Sequence, residues 1–385
     1  LTPGARVAAA IRVLDAWRDG RPVEQALTNW ARGARYAGSS DRSAVRDHVY
    51  DVLRRLGSCR ALGGGDSGRA LMIGLLRIQG IDPADRFTGQ GHAPAPLDPA
   101  EIACAAVTPD ASADVPGWLM PALSASVGPD LPALLVALQA RAPVWLRVNT
   151  RRATVEAAID RLGAEGVEVR ADPRGLRALE VMSGARRIKS CGAYAEGWVE
   201  LQDLSAQRAV EAVDWPEGRI LDYCAGGGGK SLAIAALSEA SLTAHDADPA
   251  RMRDLPARAA RAGVTIARRS TAELAAAPPF DAVLVDAPCS GSGTWRRDPE
   301  AKWRLTPERL ATLEALQAQI LDETAGLLRP GGRLVYMTCS LLASENEAQV
   351  AGFLAARPGW IRLSQRTETP LDASDGFFHA VLEAP

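Results

Sequence analysis

Arg219-Ile220-Leu221-Asp222-Tyr223-Cys224-Ala225-Gly226-Gly227-Gly228-Gly229-Lys230-Ser231 is the stretch from which the fold can be read. Arg219–Tyr223 is strand-like, the glycines break it, and Gly229–Leu237 has helical composition. Consecutive glycines let a backbone approach a ligand closely, and a helix that opens there presents unpaired N–H groups. A tight structural loop explains a glycine run as well. Asp246 adds weight to a ligand: it lies 20 residues past Gly226, at the end of the next strand-like run, Leu242–His245. At that spacing an acidic side chain reaches ribose hydroxyls. The pattern suits an adenosine-containing cofactor, with Cys224, Ala225, Gly226, Gly227, Gly228, Gly229, Lys230 and Asp246 as candidate contacts. Gly-Gly-Lys230-Ser231 also looks like a phosphate loop. That motif needs a glycine where Cys224 stands, which argues against a nucleoside triphosphatase.

The alternation continues outward. Pro249–Ala262 reads as a helix, Val264–Ala267 and Ala282–Asp286 as strands, and Thr306–Leu328 as a long helix with Pro307 in its first turn. Arg333–Thr338 is a strand, Glu345–Ala356 a helix, and Trp360–Leu363 with Phe377–Leu382 a terminal hairpin. Such order implies an α/β class: a Rossmann-like, mainly parallel, doubly wound sheet that binds ligands at the carboxyl ends of its strands. Two further blocks fall at those ends. One is Asp286-Ala-Pro-Cys289-Ser-Gly-Ser-Gly-Thr294; the other is Tyr336-Met-Thr338-Cys339-Ser340. Alone, Asp286 is a turn cap and each cysteine a small buried hydrophobe. Two cysteines at strand ends beside an adenosine site are a rarer coincidence. Trp295, Arg296, Arg297, Lys302, Trp303 and Arg304 follow directly, and basic residues interleaved with tryptophan suit phosphates and stacked bases, although a folded loop yields the same run.

Toward the N-terminus the pattern changes. Val144–Val148, Val167–Val169, Leu179–Val181 and Trp198–Leu201 are short strand candidates around a helix at Val155–Leu162, a small α/β domain over 131–204. Residues 89–130 are rich in proline and glycine and read as a linker. Residues 1–88 read as helices, with Val7, Ile11, Leu14 and Trp17 at helical spacing and Asp41 as an N-cap before Val45–Leu56. Residues 205–385 form the Rossmann-like domain.

Composition bounds the rest. The 385 residues carry a net charge of −2, so the whole chain does not advertise nucleic acid, but residues 1–60 hold 11 arginines against six acids. Only three of the 44 basic residues are lysine, Lys189, Lys230 and Lys302, which marks each as a place where arginine does not fit. The six cysteines form no C-x-x-C pair and histidines number four, so no metal site is expected. Cys59, Cys104 and Cys191 read as packing. No apolar run approaches the roughly 18 residues of a membrane span. Cytoplasmic localisation and a monomer are the defaults.

Taken together the blocks resemble the RsmB/Sun/Nop family of S-adenosylmethionine-dependent RNA cytosine-5 methyltransferases. Asn149 in Leu146-Arg-Val-Asn149 and Gln202-Asp203-Leu-Ser205 also resemble its short signatures, and residues 1–88 resemble the NusB-like helical RNA-binding domain of the family's bacterial RsmB branch. The resemblance implies S-adenosylmethionine as cofactor and RNA, first of all small-subunit ribosomal RNA, as partner. It implies Cys339 as the nucleophile, Cys289 as the group that assists release, and Asp286 as holding the cytosine edge or the donor. Lys230 lies where it bonds the reacting base or lowers a thiol pKa. The family's Asp after the third strand is replaced here within Arg269-Ser270-Thr271-Ala272, so the Thr271 hydroxyl has to stand in for a carboxylate at the adenine. A transfer-RNA target, a non-catalytic RNA-binding assembly factor, and a small-molecule or DNA methyltransferase are the alternatives. Intact Cys339, Cys289 and Asp286 argue against the second, and the N-terminal domain with the Thr-Cys-Ser block argues against the third.

Overall fold

The computed structural model describes residues 1–104, 109–174, 177–372 and 374–385. They form two compact units. One comprises Leu1–Arg141 together with Trp295–Arg304, and the other Ala142–Thr294 with Leu305–Pro385.

The first unit is helical. Helices Pro3–Arg18, Val23–Gly33, Ser39–Arg54, Leu56–Gly63 and Gly68–Ile78 bury Val7, Leu14, Leu27, Val45, Val49, Leu53, Leu71 and Ile73 in one core. Asp41 does not cap its helix as expected. Ser39 and Ser40 already lie inside it, so Asp41 stands in the first turn, where its carboxylate accepts the Gly38 N–H at 3.3 Å and pairs with Arg6 at 2.8 Å. The stretch read as a linker carries helices of its own, Pro99–Ala103 and Met120–Val127, and belongs to this unit. Within it, Gly117–Leu138 is long and apolar enough to cross a membrane by composition, contrary to the expectation that no run comes near this length. Here it is broken into short helices around Gly128, with Leu119, Leu123, Leu134 and Leu138 buried.

The segment Trp295–Arg304 was expected to face phosphates and bases. Its tryptophans and its lysine instead fold into the helical unit. Trp295 and Lys302 are fully buried. The Lys302 ammonium donates to the Arg54 carbonyl at 3.2 Å, and the Trp303 indole N–H donates to the Leu53 carbonyl at 2.7 Å. Glu300 accepts from the Trp17 indole and the Val23 N–H, both at 3.1 Å. A run of tryptophan and basic residues thus reads the same in sequence whether its apolar rings meet nucleobases or a helix.

The second unit holds two sheets. Strands β1 (Trp145–Val148), β2 (Glu168–Ala171), β3 (Ala178–Ser183) and β4 (Val199–Leu201) form an antiparallel sheet in the order β2-β3-β1-β4. Strands β5 (Arg219–Asp222), β6 (Ser241–Ala244), β7 (Ala267–Arg268), β8 (Phe280–Asp286), β9 (Leu328–Thr338), β10 (Ile361–Glu368) and β11 (Phe377–Glu383) form a seven-stranded sheet in the order β10-β11-β9-β8-β5-β6-β7. β5 to β9 run parallel; β11 is antiparallel to both its neighbours. The alternating side chains of the central strands split between two cores. Val283, Val285 and Tyr336 meet Ile320, Leu321 and Phe353 from the helices Pro307–Ala325 and Glu347–Ala356. Leu284, Val335 and Met337 meet Val210 and Ile234 from the helices Leu204–Glu211 and Gly229–Ala235 on the other face. The chain order reverses between β5 and β8, which places a crevice at their carboxyl ends.

Burial pulls the Lys302 ammonium from its ordinary 10.5 down to about 7. Between those values the unfolded chain holds the extra proton, so this residue makes stability rise with pH across the window and leaves its cost fully in place below it. Lys302→Met is expected to raise unfolding free energy by about 1–2 kcal/mol at about pH 6.5 and by less at about pH 9.5, measured by urea denaturation. Equal effects at the two pH values would show that the ammonium is not desolvated as described.

Candidate active site

β5 delivers Asp222 to the rim of the crevice. The chain then turns through Gly226 and Gly228 at φ +49° and +76°, left-handed conformations that glycine adopts at little cost. At Gly228 a Cβ would also lie 2.0 Å from Leu255 Cδ1, so a larger residue there would have to displace that side chain as well as adopt the left-handed backbone. Beyond the turn the helix Gly229–Ala235 points its N-terminus at a cleft of ≈ 270 Å³ lined by Cys224, Ala225, Gly226, Gly227, Gly229, Lys230, Asp222, Asp286 and Gln202, among others.

Asp246 is buried beside this turn, where its carboxylate accepts the Gly226 N–H at 2.9 Å and the Asp248 N–H at 3.0 Å and pairs with Arg251 at 3.2 Å. It therefore shapes the loop and does not itself line the cleft. Gly228 and Thr271 do not line it either. The Thr271 hydroxyl meets His245 Nε2 at 2.9 Å, and His245 Nδ1 meets the Tyr223 carbonyl at 2.7 Å.

Asp222 drew no role from sequence alone, yet it lines the cleft. One carboxylate oxygen accepts from the Ser231 hydroxyl at 2.6 Å, and the other is buried without a partner. Burial, with the nearby Asp286 charge adding to it, raises its pKa to about 7. Gln202 also reaches the cleft, with its amide 3.4 Å from the Gly229 carbonyl, while Asn149 donates to the Gly197 carbonyl ahead of β4 and to the Ala262 carbonyl at the end of the helix Leu255–Ala262, both at 3.0 Å. These are what the two short signature matches do here.

Lys230 and Asp286 form an ion pair across the crevice, and the Lys230 ammonium stands 5.1 Å from the Phe377 ring centroid. Burial pulls this ammonium down, but Asp286 outweighs it and leaves Lys230 above its ordinary value, with a charge on Cys339 acting in the same sense. β8 and β9 are hydrogen-bonded neighbours with Asp286 opposite Met337, so the turns that follow them bring Cys289 and Cys339 together. Their sulfurs are 3.4 Å apart and both thiols are free. The Cys339 sulfur beside it, and then burial, push the Cys289 thiol well above the ordinary range. Cys59, Cys104 and Cys191 lie elsewhere, with Cys59 and Cys191 buried. Among the described residues no cluster of His, Cys, Asp and Glu could hold a metal ion.

Comparison with known proteins places this arrangement. The family model of 16S rRNA methyltransferases RsmB/F matches residues 213–382, and the associated ferredoxin-like domain model matches 115–186. A ribosomal RNA small subunit methyltransferase B from Salmonella arizonae is 36% identical over 292 residues. The chain belongs to the RsmB/F methyltransferase family. That match covers 71% of this chain and 67% of the relative, so the chain spans about two thirds of the length of the curated relatives it matches. A solved methyltransferase homolog from Pyrococcus horikoshii superposes with a TM-score of 0.61 at 25% identity, over 70% of this chain and 95% of that one. A further crystal structure, that of PH0851, covers 100% of this chain and 99% of its own at a TM-score of 0.75 and 23% identity, which bears on the fold alone.

The cofactor of this RsmB/F chain is S-adenosylmethionine, and the cleft fits it. The unpartnered Asp222 oxygen is suited to the donor's ammonium, the positive-φ glycines admit its close approach, and Asp246 holds the Gly226 turn that borders the cleft. On that fit, Asp246→Ala is expected to weaken donor binding by about 1–3 kcal/mol in calorimetric titration. An ammonium at Asp222 requires the ionised carboxylate, so affinity should fall roughly tenfold from about pH 8 to about pH 6, and Asp222→Asn should flatten that profile. A flat profile in the unaltered protein would remove Asp222 from the donor site.

Proposed function

We propose that this protein methylates carbon 5 of a cytosine in RNA, small-subunit ribosomal RNA first of all, through a covalent adduct on Cys339. One observation carries the reading: two free thiols 3.4 Å apart at the ends of adjacent strands, beside the Lys230–Asp286 pair and the donor cleft. A methyltransferase acting on nitrogen or oxygen has no need of paired thiols. Carbon 5 of cytosine is a poor nucleophile, and the addition of a thiolate to carbon 6 is what activates it. The family to which the chain belongs and the name of its Salmonella relative support the ribosomal substrate. Exposed Arg12, Arg18, Arg21, Arg32 and Arg35 support a role in RNA capture for residues 1–88, the part that resembles a NusB-like domain.

The roles follow from proton and electron bookkeeping. The Cys339 thiolate forms a bond to carbon 6 and the ring's double-bond electrons move toward carbon 5, with Asp286 holding the base by accepting from its amino edge and the Lys230 ammonium offsetting the negative charge that develops. The donor, when bound, supplies an electrophilic methyl group. Carbon 5 takes the methyl and then carries both it and a proton. That proton must leave so that the double bond reforms and expels Cys339. Cys289 suits this step. Its pKa is raised chiefly by the neighbouring Cys339 sulfur, so it keeps its proton and donates to Cys339 while that thiol is ionised. Once Cys339 is bonded to carbon 6 its charge is gone, and the main obstacle to ionising Cys289 goes with it. Cys289 then releases its proton to solvent water, and as a thiolate it takes the carbon-5 proton while the electrons of that C–H bond reform the ring double bond and expel Cys339. The Lys230 ammonium stabilises the negative Cys339 sulfur through the same crevice.

Cys339→Ala is expected to abolish methylation and all covalent protein–RNA adduct. Cys289→Ala should add and transfer but stall before release, so that an adduct stable in denaturing gels accumulates with RNA and donor. RNA carrying 5-fluorocytidine, which has no proton to lose at carbon 5, should trap the unaltered protein and not Cys339→Ala. Trapping by Cys339→Ala but not by Cys289→Ala would reverse the assignments, and no trapping by any form would remove the covalent route.

A further inference from the structure

The two cysteines are followed in sequence by serines, Ser290 and Ser340, and both serine side chains turn away from the crevice into the protein. There they meet one carboxylate. Glu345 is fully buried, with no arginine, lysine or histidine paired to it among the described residues. Its Oε2 accepts from the Ser290 and the Ser340 hydroxyls, both at 2.5 Å. Its Oε1 accepts from the Ser290 N–H at 2.7 Å and from the Gln317 amide at 3.0 Å. The carboxylate is thus held by four donors, and three of them come from the residues next to the two thiols. Further bonds run between the same turns. Gly293 N–H donates to the Cys339 carbonyl at 3.0 Å, and Leu341 N–H donates to the Ser292 hydroxyl at 2.8 Å.

An anion buried without a counter-ion is costly unless hydrogen bonds satisfy it fully, and a network of this kind persists where it fixes geometry. We propose that Glu345 is a positioning residue that clamps the turn after β8 to the turn after β9 and so sets the distance between Cys289 and Cys339. The clamp touches neither substrate nor donor. Its use in methyl transfer rests on the cytosine-5 reading above, whereas its use in holding two thiols together does not.

Two measurements keep those apart. Phenylarsine oxide condenses with two adjacent thiols, forming two As–S bonds and releasing one water, and so reports thiol spacing without RNA or donor. The unaltered protein should take up one equivalent on Cys289 and Cys339, mapped by mass spectrometry. Ser290→Ala combined with Ser340→Ala removes both hydroxyl ties while leaving the Ser290 N–H and the Gln317 amide on Glu345, and it serves if Glu345→Ala fails to fold. The double serine variant should lose bidentate arsenical capture and lower kcat by about 10²-fold, the cost of misplacing a reacting group by about an ångström. Its affinity for S-adenosylmethionine should stay within about twofold, because the donor cleft is lined by other residues. Glu345→Gln, which keeps the shape and lets the hydroxyls turn to accept, should recover most of both readouts. Capture and kcat unchanged in the serine variant, or kcat lost with capture retained, would overturn the clamp. Capture lost in the variant, with no 5-fluorocytidine trapping by the unaltered protein, would uphold the clamp and overturn the cytosine reading.

Discussion

The parallel pairing of β8 with β9 is the constraint on which the site depends. It places Asp286 opposite Met337, so the turns that leave these strands emerge side by side, each with a cysteine. A side chain in a strand alternates between faces with a period of two, so a slip of one residue would send these groups to opposite sides of the sheet. The register is held by a core on each face, with Val283, Val285 and Tyr336 on one and Leu284, Val335 and Met337 on the other. Chemistry at the rim is therefore secured by apolar packing well below it.

From that pairing the electrostatics follow. Neither thiol can be understood alone, because the second sulfur is the largest influence raising the first. Lys230 and Asp286 nearly neutralise each other at the crevice, and this lets a lysine stay charged although burial opposes it. Where no carboxylate pairs directly with a buried ammonium the balance tips the other way: Lys302, bonded to a backbone carbonyl, falls to about 7. The lysines are rare in this arginine-rich chain; Lys302 is buried and Lys230 lines the cleft. The third, Lys189, is simply exposed, so rarity was a guide and not a rule.

Much of the catalytic sheet was legible because each of its signals is local. The glycine turn, the strand runs and the cysteine blocks announce themselves within a dozen residues, and the carboxyl ends of β5, β8 and β9 fall within a residue of where the pattern put them, although β9 begins at Leu328 and not at Arg333. The helix Leu204–Glu211 was missed because it is short and its burial depends on the sheet it covers. β7 was read at Val264–Ala267 and lies at Ala267–Arg268, since an exposed edge strand of this length has little hydrophobic pattern to read. What was not legible is long-range. Trp295–Arg304 looks like a nucleic-acid surface until its partners Leu53, Arg54 and Trp17 are known, and these lie more than 240 residues away. Asp222 and Glu345 carry no motif of their own. Their meaning comes from an unpartnered oxygen in one case and from four converging donors in the other. The one faint signal was that each cysteine precedes a serine.

The atom that receives the methyl group decides the proposed reading, in which the paired thiols serve a transfer to carbon 5 of cytosine. Bisulfite sequencing of small-subunit ribosomal RNA lacking the modification, before and after incubation with the protein and S-adenosylmethionine, tests it most directly. The account requires a cytosine that resists conversion only after incubation. Methyl incorporation into the RNA with every cytosine still converted would contradict it.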